Sequence, residues 1–223
     1  MSDKAYILAV PKGRILKELL PLLEKANIRP EDKFFDPKDR SLRFTTNHAA
    51  LDIIRVRSFD VATFVAYGAA HFGVAGSDVL EEYDYDGLYA PLDLNIGHCR
   101  LSLAQPAELQ EADNPIHSGH LRVATKYPLF TQRFFSQRGM RAQCIKLNGA
   151  MELAPSLGLC QHIVDLVSTG TTLRANGLKE VEVLSEVSSR LIVSRAALKT
   201  DRGPLESFLT ALEDAVMDHN STA

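Results

Sequence analysis

The chain has 223 residues, 45% of them hydrophobic and 24% charged, with a formal net charge of −3. That length buries a sizeable core in one large domain or two small ones. With no basic excess, a nucleic-acid partner is not expected, and any site for a polyanion must be a local cluster of Lys and Arg. The polar start Met1-Ser2-Asp3-Lys4 argues against a secretory signal, and no apolar run approaches the ~20 residues that span a bilayer. Cys99, Cys144 and Cys160 lack metal-ligand spacing, which points to free thiols in a reducing cytoplasm.

In chain order, residues 5–10 (AYILAV) read as a buried strand. Ile15, Leu16, Leu19, Leu20, Leu22, Leu23 and Ala26 then recur at helical spacing, with Pro21 inside the pattern. Residues 42–45 and 51–57 form a plausible hairpin around Asn47-His48, followed by a helix over 59–67 that stops at Gly68. A strand at 72–75 leads into a helix that Ser77-Asp78 is placed to cap. After Asp93 the pattern restarts: strand 99–104, a polar connection 105–120, strand 121–125, helix 128–138, strand 143–147, short helix 151–157 and strand 163–167. Two β-rich runs, 181–187 and 191–194, precede a last helix over 205–217.

Strands alternating with helices predict an α/β architecture with mostly parallel sheets. The two groups of βα units predict two lobes, residues 1–93 plus 183–223 and residues 94–182, with the run 181–187 crossing between them. Two such lobes are expected to leave a ligand cleft between them.

The most informative stretch is Asp165-Leu-Val-Ser-Thr-Gly-Thr-Thr-Leu173, after the apolar pair Ile163-Val164. It reads as a strand, an acidic residue, a Ser/Thr/Gly loop and a helix start. Inward-pointing N–H groups, the hydroxyls of Ser168, Thr169, Thr171 and Thr172, and the helix end suit a phosphate monoester. Gly170 permits close backbone approach. Asp165 is placed to accept from sugar hydroxyls, so a phosphorylated sugar fits better than free phosphate. The plainer alternative is an ordinary corner in which Ser168 or Thr169 caps the helix.

Cations stand at other strand ends, where ligands of open α/β sheets bind. Lys12, Gly13 and Arg14 sit where the first strand meets the first helix. Arg55 and Arg57 lie two apart in a strand and would share one face, offering a fork for phosphate, or pairing with Asp52 or Asp60 instead. Gly73-Val-Ala-Gly-Ser77-Asp78 offers backbone contacts from its glycines and Ser77, while Asp78 caps a helix or meets ligand. Lys126-Tyr127-Pro128 follows another strand. Glu152 begins a short helix, where it serves the dipole, or binds ribose hydroxyls, or holds Mg²⁺ through water. No hydrolytic nucleophile, P-loop or GxGxxG fingerprint accompanies these segments.

Together they resemble the short form of the ATP phosphoribosyltransferase family over essentially the whole chain. The carriers are Pro11-Lys-Gly-Arg14, Arg57…Asp60 leading to Tyr67-Gly68, Gly73-Val-Ala-Gly-Ser-Asp-Val-Leu80, Ala124-Thr-Lys-Tyr-Pro128, Asn148-Gly-Ala-Met-Glu-Leu-Ala-Pro155 and, above all, the run from Asp165 to Leu178. The family often has Asp where this chain has His71, and Ile-Pro where it has Val61-Ala62. The resemblance implies a two-lobed fold like type II periplasmic binding proteins, with the active site in the inter-lobe cleft. It implies transfer of a phosphoribosyl group from phosphoribosyl pyrophosphate to N1 of the adenine of ATP, with Mg²⁺. On that basis Ser168, Thr169, Gly170, Thr171 and Thr172 hold the 5′-phosphate, and Asp165 and Glu152 orient the ribose or a nearby Mg²⁺. Lys12, Arg14, Arg55 and Arg57 grip pyrophosphate or the ATP phosphates, with Gly13, Ser77 and Asp78 among the substrate-binding positions. The resemblance also implies a homodimer that joins a separate regulatory subunit similar to histidyl-tRNA synthetase and responsible for histidine feedback. A solute-binding protein of the same architecture, or a phosphoribosyltransferase acting on another base, are the alternatives.

Overall fold

The computed structural model describes residues 6–109, 120–200 and 202–221, and every count below refers to these. In chain order the elements begin β1 (Tyr6–Pro11), α1 (Arg14–Lys25), a 3-10 turn (Asp32–Phe35), β2 (Arg43–Thr45), β3 (Leu51–Val56), α2 (Ser58–Ala66), β4 (Phe72–Gly76), α3 (Ser77–Tyr83) and β5 (Leu88–Asp93). Next come β6 (Cys99–Pro106), β7 (His120–Thr125), α4 (Pro128–Ser136), β8 (Arg141–Lys146), α5 (Leu153–Ser156), β9 (His162–Val167) and α6 (Thr171–Ala175). The chain finishes with β10 (Leu178–Val187), β11 (Ser189–Ser194), α7 (Arg195–Thr200) and α8 (Arg202–Asn220).

Two compact units result: residues 1–97 with 188–223, and residues 98–187. These boundaries fall just beyond the 93 and 182 expected from sequence. Hydrogen bonding is the reason. β10 stays paired with β6 until Val187 meets Cys99, whereas Ser189 already pairs with Gly76. The run 181–187 therefore belongs wholly to the second unit, which corrects its expected role as a crossing strand.

The first unit holds a six-stranded sheet in the order β2-β3-β1-β4-β11-β5, with β3, β1 and β4 parallel. β1 is apolar throughout because both faces are covered. Leu8 and Val10 pack with Leu19, Leu22 and Leu23 of α1 and Leu212 and Val216 of α8, while Ala9 packs with Val61, Ala62 and Val65 of α2. α1 runs through Pro21, which stands on its exposed side. Gly73 belongs to packing: a Cβ there would lie 2.6 Å from Val61 Cγ1 and 2.8 Å from Val65 Cγ2. The close approach of α2 therefore accounts for a glycine at this position.

The second unit holds a five-stranded sheet, β10-β6-β9-β7-β8, in which β7 is parallel to β8 and β9, and β6 is antiparallel to β9 and β10. Ala124, Met151, Ala154, Cys160, Ile163, Val167, Leu173 and Leu178 form a core beneath α5 and α6. Most of the connection expected over 105–120 lies outside the described residues, although β6 already occupies its start. Three elements had no reading from sequence: the 3-10 turn, β5, interrupted by Pro91, and α7. No described helix is long and apolar enough to cross a membrane.

Candidate functional site

In the first unit the parallel order β3-β1-β4 brings three strand ends to one edge. Lys12, Gly13 and Arg14 follow β1, Arg57 follows β3, and Ser77 and Asp78 follow β4. Lys12 and Arg57 are exposed there. Gly13 takes φ 93° at the start of α1. Arg57 has extended dihedrals at the start of α2, and its carbonyl accepts from Asp60 N at 2.9 Å. Arg14 is partly engaged: Nη2 donates to Gly97 O at 3.2 Å and Nε lies 3.7 Å from Glu18 Oε1, with its side chain still 51% exposed. Glu18 Oε2 in turn accepts from Gly97 N at 2.6 Å.

Other expected ligand residues also have structural work. Ser77 N donates to Ser188 O at 2.9 Å, and Ser188 N reaches Ser77 Oγ at 3.4 Å, so Ser77 fastens the chain where β11 begins. Asp78 is buried, with Oδ1 where a Cβ on Gly76 would stand. Arg55 corrects the expected guanidinium pair. Its Nη1 donates to Phe34 O at 3.0 Å and Nη2 to Ser41 O at 3.4 Å, and its charge lies 4.9 Å and 4.4 Å from the ring centres of Phe34 and Phe44. β3 ends at Val56, so Arg57 has left the strand while Arg55 anchors the 3-10 excursion. The two do not form one fork.

In the second unit the order β9-β7-β8 gathers another edge. Ser168–Gly170 follow β9, Lys126 follows β7, and Asn148–Glu152 follow β8. Gly170 adopts φ 71°, ψ 8° and α6 starts at Thr171. The left-handed turn favours glycine because a Cβ would crowd the carbonyl. The N-cap position is Gly170, and Thr169 Oγ1 lies 3.0 Å from Thr171 Oγ1 and accepts from Thr171 N at 3.4 Å. Arg174 Nη2 donates to Thr169 O at 3.2 Å and to Thr171 Oγ1 at 3.3 Å. Ser168, Thr169, Thr171 and Thr172 are all exposed. Asp165, half-buried, accepts from Leu166 N at 2.8 Å and stands opposite Ser102 of β6. Glu152, half-buried, immediately precedes α5, two residues after Ala150 at φ 54°.

Sequence reasoning missed a group beside this loop. Arg100 of β6 donates through Nε and Nη2 to both oxygens of Glu180, at 2.5 and 2.6 Å, and through Nη1 to Ser168 O at 2.9 Å. Ser102 Oγ adds a bond of 2.7 Å to Glu180 Oε1. The Arg100 guanidinium holds the Glu180 carboxyl below its usual range, and the carboxylate raises Arg100 in return. A cation in an otherwise uncharged strand was the available signal.

Two α/β units of this kind define the two-lobed class typified by periplasmic binding proteins. A putative L-cystine ABC transporter protein from Listeria monocytogenes is similar at TM-score 0.63 and 10% identity, over 96% of this chain and 91% of that one. That likeness carries the fold alone. The family is fixed by closer matches. The model for HisG, ATP phosphoribosyltransferase, matches residues 57–214. The ATP phosphoribosyltransferase of Paramagnetospirillum magneticum is 64% identical over 96% of this chain and 97% of its own, and that of Rhizorhabdus wittichii 59% identical over the same shares. The ATP phosphoribosyl transferase (HisG:HisZ) complex from Thermotoga maritima contains a chain 31% identical at TM-score 0.79, over 96% of this chain and 99% of that one. The chain belongs to the ATP phosphoribosyltransferase family, the enzymes of the first step of histidine biosynthesis.

Proposed function

We propose that the loop after β9 seats the 5′-phosphate of phosphoribosyl pyrophosphate while ATP presents adenine N1 to C1 of the ribose. The N1 lone pair forms the new C1–N1 bond as the C1–O bond breaks, and its electron pair leaves with pyrophosphate. N1 carries no proton to remove, so no strong general base is needed. What the protein supplies is placement of two polyanions and stabilisation of the leaving group.

Ser168, Thr169, Gly170, Thr171 and Thr172 take the phosphate, and Asp165 and Glu152 take ribose hydroxyls. Lys12, Arg14 and Arg57 take pyrophosphate or ATP oxygens. The observation that supports this reading is the loop itself: exposed hydroxyls and backbone around a left-handed Gly170, at the carboxyl edge of a parallel sheet. Among the described residues no group of three or more His, Cys, Asp or Glu side chains makes a ready metal cage. Mg²⁺ fits this chemistry as an ion carried on phosphate oxygens, with Glu152 or Asp165 reached through water. Bound there, it neutralises charge on the departing pyrophosphate.

The enzyme works in the cytoplasm as a homodimer joined to a histidyl-tRNA-synthetase-like regulatory subunit. Free Cys99, Cys144 and Cys160 suit a reducing compartment, and the complex from Thermotoga maritima supports the partner. Mixing the protein with ATP, phosphoribosyl pyrophosphate and Mg²⁺ and following adduct absorbance tests the reaction. A solute-binding protein forms nothing, and a transferase for another base gives product only with that base.

A further inference from the structure

We propose that Arg100, locked by Glu180 and Ser102, is a positioning residue that turns the backbone amides of the loop after β9 toward the ribosyl donor's phosphate. The proposal rests on that loop being the phosphate seat, and it assigns the reason the seat has its shape without a ligand.

A trans peptide holds its C=O and the following N–H on opposite sides of one plane. Arg100 Nη1 takes Ser168 O at 2.9 Å, so the Thr169 N–H in the same plane points away from Arg100. Arg174 Nη2 takes Thr169 O at 3.2 Å, which fixes the Gly170 N–H in the same way. Two successive carbonyls are thus captured by guanidiniums. The N–H groups of Thr169 and Gly170 donate to no acceptor among the described residues. Donors left open in sequence are what an anion requires.

Arg100 can do this because its own position is overdetermined. Its planar fork meets both Glu180 oxygens, and Ser102, itself fully buried, holds one of those oxygens. The antiparallel register puts Arg100 opposite Val167, the last residue before the loop, so its remaining donor falls on Ser168. β10 carries a register shift between Glu180 and Glu182, a bulge of the kind that re-aims a side chain beside a site. The mutual displacement of the two pKa values, with the Arg100–Glu180 hydrogen bond as its largest cause on both sides, agrees with a tight charged pair. All these contacts lie within the second unit, so their loss should fall on the ribosyl donor rather than on ATP.

The test uses the full-length chain carrying Arg100→Met, Arg100→Lys or Glu180→Gln, with Gly170→Ala as a check on the seat. Calorimetry gives the dissociation constant for phosphoribosyl pyrophosphate, steady-state kinetics gives KM for ATP, and thermal melts report folding. Arg100→Met is expected to weaken donor binding by about 10- to 100-fold, the scale of one charged hydrogen bond. KM for ATP should move less than about twofold, since the lost contact touches only the donor's seat. Arg100→Lys should recover part of the loss, because a single ammonium cannot hold Glu180 and Ser168 with fork geometry. Glu180→Gln should show the same selectivity at smaller size. Wild-type donor affinity in Arg100→Met beside weakened binding in Gly170→Ala would overturn the brace and leave the seat standing. Unchanged affinity in both would remove the seat as well. Equal loss for donor and ATP would also overturn the proposal, as a merely structural role. If Arg100→Met does not fold, Glu180→Gln decides by the same criterion.

Discussion

His162 opens β9, the strand before the proposed phosphate seat, and it is fully buried. Nε2 lies 3.2 Å from Gln105 Oε1, and Nδ1 has no partner among the described residues. Burial lowers its pKa from 6.5 to about 4, so the ring is neutral in the folded protein at pH 5 while the unfolded chain is protonated. The stability this neutral ring allows is therefore complete above pH 6.5 and is lost as pH falls toward 4. From the two values, protonation of the unfolded chain costs the fold roughly 0.2 kcal/mol at pH 7 and roughly 2 kcal/mol at pH 5. The same arithmetic levels off at roughly 3 kcal/mol below pH 4. Glu180 does not confuse the reading between pH 7 and 5, because its lowered pKa places its own loss below the usual carboxylate range. The perturbation is His162→Gln, which keeps an amide near Gln105 and cannot titrate. Urea melts of both proteins at pH 7 and pH 5 provide the assay. The wild type should lose roughly 2 kcal/mol more than the variant on acidification. Identical losses would show that His162 is solvated or already charged, and would refute the reasoning.

Arg57→Ala should lower kcat by about 10-fold or more with an unchanged melt, as expected for a lost transition-state contact; an unaltered kcat would remove Arg57 from the site. Arg55→Met should behave oppositely, costing roughly 2–3 kcal/mol of stability through its two carbonyl bonds and two rings, with kcat of the folded fraction retained. Thr169→Val should weaken phosphoribosyl pyrophosphate binding by about 2- to 10-fold in calorimetry, the worth of one neutral hydroxyl bond, and wild-type affinity would contradict its place in the loop. Gly73→Ala should destabilise by about 1–3 kcal/mol through overpacking against Val61 and Val65; a neutral melt would mean that α2 shifts freely. The chain assayed without the proposed regulatory subunit should turn over yet ignore histidine, and full inhibition of the lone protein would contradict the proposed division of labour.

The shape of the loop after β9 was legible in sequence because its features are local. A strand, a hydroxyl run and a glycine that tolerates a left-handed turn lie within a few residues, and backbone sterics alone link them. The alternation of strands with helices announced the α/β class for the same reason. β5 escaped because it carries Pro91 and half-exposed positions, so its pairing with β11 rather than its own pattern makes it a strand. The exchange of β10 for β11 between sheets was equally hidden, since both are β-rich runs and only their partners differ.

Charge told least by itself. Arg55 and Arg57 are chemically identical and two residues apart, and sequence treats them as a pair. Their difference arises where Phe34, Ser41 and Phe44 close over one of them and leave the other at a helix start. Arg100 and Glu180 are eighty residues apart, and become a fork only through the register of β6 with β10 and its bulge. Residue type and local spacing therefore determined which chemistry the chain holds. Tertiary structure decided which cations are free for it, because a guanidinium's availability depends on the carbonyls and carboxylates that folding brings to it from distant parts of the chain.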